Sequence, residues 1–221
     1  MNFEEDGIII IDSLLSPARI AEAEAVLDAL DLDSAGTRNL LEQPWSRRLV
    51  GWLREQTALA ALLPPRPVAA QCTLFEKSSE RNWLVPMHQD LSIPVRERRD
   101  DPRLAGWSEK EGVLYVQPPV EVLEDLVAVR IHIDDCGPDH GPLRVVPGSH
   151  RLGRLGEKDI PAVRRERGER DCVVGRGGAL IMRPLLVHAS SKAVVPNRRR
   201  VLHFLFGPAE LPLGLEWKQA V

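Results

Sequence analysis

Two short stretches of this chain carry a histidine and an aspartate two positions apart. Val85 to Ile93 reads VPMHQDLSI, with His88 and Asp90, and Arg130 to Asp135 reads RIHIDD, with His132 and Asp134. On an extended strand, residues i and i+2 project from one face, so either pair could offer an imidazole and a carboxylate to one divalent metal. Spacing alone does not choose between them, because six histidines in 221 residues make a bare H-x-D close to a chance event. A third ligand must come from a distant strand. Two histidines and a carboxylate on one face of iron(II) leave the opposite positions open for a co-substrate and dioxygen. A co-substrate such as 2-oxoglutarate also needs a cation for its far carboxylate, best an arginine with its bidentate fork. His188, in LLVHASS at the end of an apolar strand, and Arg199, in RRRVLHFLF, meet both needs if a hairpin returns Arg199 alongside His188. Strand alternation sets Arg198 and Arg200 on the face opposite Arg199.

The elements that must hold these groups follow from the apolar pattern. Ile8–Ile11 reads as a short buried strand, and Ser16-Pro17 opens a helix to about Leu30, with Ile20, Ala23, Leu27 and Leu30 at helical spacing. A second helix is expected from about Pro44 to Leu62, where Leu49, Trp52, Leu53 and Leu59 share a face until Pro64-Pro65 ends it. Short strands between turns follow: Val68–Lys77, Val85–Ile93, Leu126–Asp134, Leu143–Val146, Ala179–Arg183 and Arg199–Phe206. The turns carry GPDHGP at 137–142, PGS at 147–149 and GRGG at 175–178. This order predicts a mainly β domain with flanking helices, an antiparallel sandwich or barrel. With no repeat and no linker, residues 1–221 read as one domain. It has a helical part at about 13–63, a β core at about 68–207 and an aperiodic insert at about 94–125. Such an insert suits a lid or an ordinary surface excursion equally.

Composition narrows the function classes. A net charge of -3 and a pI near 6.1 give no basic surface for nucleic acid or an anionic membrane. Cys72, Cys136 and Cys172 stand far apart without a CxxC pair, which suits a reducing compartment rather than a disulfide framework or a structural zinc site. The opening MNFEEDGIIIIDSLLSP is acidic and its apolar run is four isoleucines long, so neither a signal peptide nor a membrane span is expected, and the cytoplasm is.

Several segments together resemble the phytanoyl-CoA dioxygenase family of iron(II)- and 2-oxoglutarate-dependent oxygenases. They are FEEDGIIIIDSLLS, NWLVPMHQDLSIPV, GPLRVVPGSHRLG and HASSKAVVPNRRR, spread over most of the chain. Family members often carry NGPL-x-V-x-PGSH between the metal-binding strands; here His140 replaces the usual Asn. The resemblance implies a double-stranded β-helix, a jelly-roll of the cupin kind. It makes His88, Asp90 and His188 the metal ligands and Arg199 the partner of the distal carboxylate of 2-oxoglutarate. Ser190 and Thr73 match further co-substrate contacts, and Arg130 matches a position that faces the pocket. The implied reaction uses Fe(II), 2-oxoglutarate and O2 to hydroxylate a C–H bond of a small metabolite or natural-product intermediate, releasing succinate and CO2. Asp90 favours hydroxylation over halogenation, since related halogenases lack that carboxylate. Desaturation and ring closure stay open.

The resemblance makes His132 and Asp134 at most part of the pocket wall, and Asp134-Asp135-Cys136-Gly137-Pro138 reads as a turn. His150 reads as a turn residue, His140 as exposed, and RRERGER at 164–170 as a solvated face with coenzyme A phosphate as the lesser alternative. His203 shares the inward face of Arg199, as a pocket or a core residue. Trp107 and Tyr115 either contact substrate or anchor the insert. The competing readings are a cupin-like metalloenzyme without 2-oxoglutarate, a zinc hydrolase, and a non-catalytic binder of metal or 2-oxoglutarate. The first leaves Arg199 and Ser190 without a common purpose, and the second lacks an obvious general base.

Overall fold

The computed structural model describes residues 1–30, 36–195 and 198–221. Pro196 and Asn197 of the HASSKAVVPNRRR run lie outside the described residues. Strands follow in the order β1 (Ile8–Ile11), β2 (Pro67–Lys77), β3 (Val85–His88), β4 (Ile93–Val95), β5 (Ala105–Lys110) and β6 (Val113–Gln117). They continue as β7 (Val127–His132), β8 (Leu143–Val145), β9 (Arg170–Cys172), β10 (Ala179–Met182), β11 (His188–Ser190) and β12 (Arg199–Pro208). The larger sheet runs β1-β10-β7-β12-β2 and the smaller β3-β11-β8-β9, both antiparallel. Between them lies an apolar layer including Ile8, Ala128, Leu143, Val145, Leu180 and Met182. This is the expected sandwich.

The outer face of the larger sheet is covered by helices. Helix α1 (Phe3–Asp6) is capped by Asn2, whose side chain accepts from the N–H groups of Glu4 and Glu5. Helix α2 (Pro17–Asp28) starts as expected, with Ser16 as cap and Pro17 in its first turn. The second expected helix is interrupted. It forms α3 (Pro44–Glu55) and a short α4 (Thr57–Ala60), because Gln56 turns extended and its side chain donates to the Trp52 carbonyl. Leu27, Leu49, Leu53 and Leu59 pack on Leu74, Val129, Leu202 and Phe204 of the sheet. Among the described residues no helix is long and apolar enough to cross a membrane.

The insert is more regular than its sequence predicts. Strands β4, β6 and β5 form a third antiparallel sheet, followed by α5 (Val120–Glu124). Glu111 and Gly112 both take positive φ, 52° and 72°, between paired Lys110 and Val113. That is a two-residue hairpin of the I′ kind, normally signalled by Asn-Gly or Asp-Gly, and Glu-Gly hides it. The expected strand Val85–Ile93 is likewise split, with Gln89 to Ser92 outside both β3 and β4.

The alternation on β12 divides three consecutive arginines between two environments. Arg199 points into the sandwich. Arg198 pairs with Glu76 and Asp28, while buried Arg200 reaches Asp134 at 2.7 Å, Asp28 at 2.9 Å and Glu24 at 3.0 Å, tying α2 to the sheet. Asp134 is thus committed to the helical side of the molecule and lies away from the pocket face suggested for the RIHIDD strand. Removing one partner from a buried charge network is costly. We expect Asp134→Ala to lower unfolding free energy by about 2 kcal/mol in urea denaturation, since Glu24 and Asp28 still hold Arg200.

Candidate metal centre and pocket

His188 opens β11 and pairs directly with His88, the last residue of β3. It therefore begins a strand, where the sequence had it ending one. Their rings lie 4.2 Å apart between centroids. Each Nδ1 sits 2.8 Å from a carbonyl two residues back, Pro86 for His88 and Leu186 for His188. A ring nitrogen against a carbonyl must carry the proton, so each Nε2 keeps its lone pair free for a metal. Both Nε2 atoms stand 3.7 Å from an oxygen of Asp90. The three ligand atoms lie within 4.8 Å of one another, the spacing of donors around one ion. The donor set fits iron(II): two neutral imidazoles and one carboxylate gathered on one side. Burial pushes His188 down to about 4, so it is neutral at neutral pH. Burial works against the Asp90 carboxylate, but the neighbouring imidazoles outweigh it and hold the group below its usual range.

Asp90 is just past the strand, so the H-x-D geometry is that of a strand end and the bend after it. The residue between the ligands fixes that bend. Gln89 is buried; its amide donates to the carbonyls of Gly153 at 2.8 Å and Leu185 at 2.6 Å and accepts from the Leu155 N–H at 2.8 Å. The Asp90 N–H donates to the Pro184 carbonyl at 2.9 Å. On the other side, the Val187 N–H donates to the Ser149 hydroxyl at 2.8 Å, so the PGS turn holds the residue next to His188.

A cavity of about 490 Å³ extends from this cluster, lined among others by Thr73, Arg130, Ser190, Arg199 and His203. The hairpin expected to join His188 to Arg199 does not form. Strands β11 and β12 belong to opposite sheets, and Arg199, paired in register with Lys77, lines the same cavity as His88, Asp90 and His188 from across the sandwich. Its Nη1 donates to the Gly141 carbonyl at 2.7 Å, while its buried Nε has no partner. Gly141 takes φ 64°, and a Cβ there would meet the Ser191 carbonyl oxygen at 2.5 Å, so the GPDHGP turn needs glycine to aim its carbonyl at Arg199. Arg130 also has an unpartnered buried Nε; its Nη1 donates to Nδ1 of His203 at 2.9 Å, and its guanidinium lies 5.3 Å over the Phe75 ring. Burial pushes His203 down to about 3, helped by Arg130. Thr73 accepts from the Gln71 amide at 2.6 Å.

Lys77 escaped the sequence reading, because a lysine ending a strand usually reaches solvent. Here it is buried, donating to the Ser190 hydroxyl at 3.2 Å and the Ser191 carbonyl at 2.5 Å. Among the described residues no carboxylate pairs with Lys77, Arg130 or Arg199. His132 is buried without lining the cavity, its Nδ1 unpartnered. Tyr115 lines the cavity; Trp107 packs into the apolar cluster of the insert instead. His140 is half-buried and accepts from the Gly137 N–H at 3.1 Å, and Arg164 of RRERGER pairs with Glu169.

The sequence profile described as phytanoyl-CoA dioxygenase (PhyH) matches residues 3–201. No curated protein gives a significant match. Among solved structures, AviO1 from Streptomyces viridochromogenes Tue57 is 23% identical, with a TM-score of 0.65 over 95% of this chain and 93% of that one. HygX from Streptomyces hygroscopicus, crystallised with nickel and 2-oxoglutarate, is 18% identical, with a TM-score of 0.64 over 93% of this chain and 84% of its own. EctD from S. alaskensis with bound Fe is 18% identical, with a TM-score of 0.70 over 94% and 74%. At these identities the structures share the jelly-roll fold with this chain. Gln89→Leu, which keeps volume but strips the three bonds at the bend, should weaken nickel(II) binding about 10- to 100-fold by calorimetry. His132→Ala should leave it unchanged.

Proposed function

The chain belongs to the phytanoyl-CoA dioxygenase family, and on that premise we propose that it is an iron(II)- and 2-oxoglutarate-dependent oxygenase that hydroxylates a C–H bond of a small molecule. The observation that carries the reading is the pairing of two unmet demands in one cavity. His88, Asp90 and His188 converge as a donor set that could hold a metal ion, and among the described residues the buried guanidinium Nε atoms of Arg130 and Arg199 have no acceptor. A buried arginine cannot shed its proton, so an anion must compensate it. A dicarboxylate that also chelates a metal answers both.

In this reading His88, Asp90 and His188 hold the iron, and Arg199 receives the distal carboxylate of 2-oxoglutarate, with Ser190 and Thr73 nearby. Arg130 lies in the same wall and adds positive charge. The iron, once bound, supplies the oxidising chemistry that couples decarboxylation of 2-oxoglutarate to attack on the substrate. The chain's own tasks are to fix the two imidazole tautomers, keep Asp90 ionised, neutralise the co-substrate's charge and shelter the reacting carbon from water. The crystallisation of HygX with 2-oxoglutarate and of EctD with Fe supports the same cofactor pair here. Insertion at a C–H bond is favoured over halogenation by the carboxylate of Asp90, which would hold the iron where a halogenase leaves room for a halide. A metalloenzyme without 2-oxoglutarate would leave Arg199, Arg130 and Lys77 as buried cations with no counterpart.

Anaerobic addition of iron(II) and 2-oxoglutarate should give a weak visible band at roughly 500–530 nm, as expected when a keto acid chelates iron(II). Iron binding without the band would sink the proposal. Arg199→Ala should weaken 2-oxoglutarate binding by about 2–5 kcal/mol, whereas Arg198→Ala, outside the sandwich, should leave it intact. Lys77 adds a pH dependence. Burial, with Arg199 adding to it, lowers its pKa from 10.5 to about 8, so the positive charge beside Ser190 is present below that pH and lost above it. Co-substrate affinity should accordingly fall as the pH rises through about 8, and Lys77→Met should weaken binding and remove that fall in calorimetric titrations.

A further inference from the structure

The charges that line the cavity are nearly all of one sign. Among the described residues of its wall, Arg38, Lys110, Arg130 and Arg199 are cationic, and the only carboxylate is Asp90. With Asp90 on the metal and the inner arginines facing the co-substrate, Arg38 and Lys110 are left at the mouth. We propose that the substrate is an anion whose negative group, a carboxylate or a phosphate, is received at the mouth of the cavity by Lys110 together with Arg38. The inference rests on the cavity being the substrate chamber of the oxygenase proposed above.

Arg38 is held ready for such a group. Both oxygens of the Glu111 carboxylate are occupied: one accepts from the Arg38 N–H at 2.8 Å and the Thr37 hydroxyl at 3.0 Å, the other from Nη1 of Arg38 at 2.7 Å. The Asn39 amide donates to the Glu111 carbonyl at 3.3 Å, so the segment 37–39 is clasped to the tip of the β5–β6 hairpin. That clasp engages Nη1 of the Arg38 guanidinium, and among the described residues Nε and Nη2 make no hydrogen bond. Lys110, next to the clasp, has no carboxylate partner among the described residues, and its ammonium lies 5.2 Å from the centre of the Tyr115 ring. A third cation, Arg154, donates to the amide oxygen of Gln117, another residue of the wall. Glu111 carries the one negative charge of this clasp, and its oxygens are already taken. A cationic substrate would meet Arg38 and Lys110 and, with Asp90 on the metal, no free carboxylate among the described residues of the wall, while an anion would meet complementary charge where solvent still reaches. The cavity is also lined by Leu91, Leu123, Leu126 and Leu205, of the apolar cluster packed with the insert, and these aliphatic side chains suit an apolar body behind the charged head.

The test titrates the full chain, loaded with nickel(II) and 2-oxoglutarate, with three compounds built on one ring: phenyl phosphate, phenylacetate and benzylamine. The anions should bind, with benzylamine at least about tenfold weaker. Lys110→Glu should reverse that order, whereas Lys158→Glu, a charge reversal outside the cavity wall, should preserve it. The ranking of phenyl phosphate against phenylacetate identifies the anionic group. Equal or tighter binding of benzylamine, no binding of either anion, or an unchanged order in Lys110→Glu overturns the inference. Wild-type protein that gives the visible iron band and yet prefers the amine refutes this inference alone; protein without the band refutes the oxygenase reading itself.

Discussion

The pairing of His188 with His88 across β11 and β3 is a constraint with no slack. Side chains alternate along a strand, so a slip of one residue would turn one imidazole away from the cavity and break the centre. Each ring is also committed through Nδ1 to a carbonyl of its own strand's approach, Pro86 or Leu186, which fixes its rotation as well as its tautomer. Much of the surrounding sequence serves to hold that register. Gln89 ties the bend after His88 to the chain at Gly153, Leu155 and Leu185, and Ser149 holds Val187. Ser149 of the PGSH motif and the residue inside H-x-D are structural supports for the candidate ligands beside them.

The facing sheet answers with charge. Three buried cations, Lys77, Arg130 and Arg199, approach the cavity from β2, β7 and β12, at positions where a stable core would ordinarily place apolar residues. Such charge costs stability until it is compensated. The helical layer behind the sheet shows the contrast: Arg200, one position from Arg199, is fully compensated by Glu24, Asp28 and Asp134. One strand thus presents a satisfied arginine to the structural side and an expectant one to the functional side.

The sequence made the candidate metal ligands legible because they sit in a motif set, with His188 and Arg199 giving His88 and Asp90 the company that His132 and Asp134 lack, and the structure brings His88, Asp90 and His188 together. It made the strand alternation of Arg198, Arg199 and Arg200 legible for the same reason that alternation is geometric. Other features lay beyond it. The opposition of Arg199 and His188 across two sheets depends on tertiary pairing, and a hairpin was the simpler local guess. Lys77 looked like a strand-end lysine because its burial comes from Ser190 and Ser191, more than a hundred positions away. The β5–β6 hairpin was hidden by a turn in which glutamate adopts a left-handed conformation usually left to asparagine or glycine. Its compensation, the clasp to residues 37–39, comes from a distant segment.

That hairpin belongs to a sheet of its own, β4-β6-β5, hydrogen-bonded neither to the smaller sheet, which carries His88 and His188, nor to the larger one, which carries the buried cations. It is anchored elsewhere, through Val95 opposite Trp217 and the Arg96 N–H on the Glu216 carbonyl. The proposed substrate mouth and the candidate metal centre therefore reside in parts of the chain with separate strand ladders. The mouth can be lengthened, shortened or recharged without moving a ligand, which makes the Lys110–Gly112 tip the place to graft a new preference onto an unchanged oxidising centre.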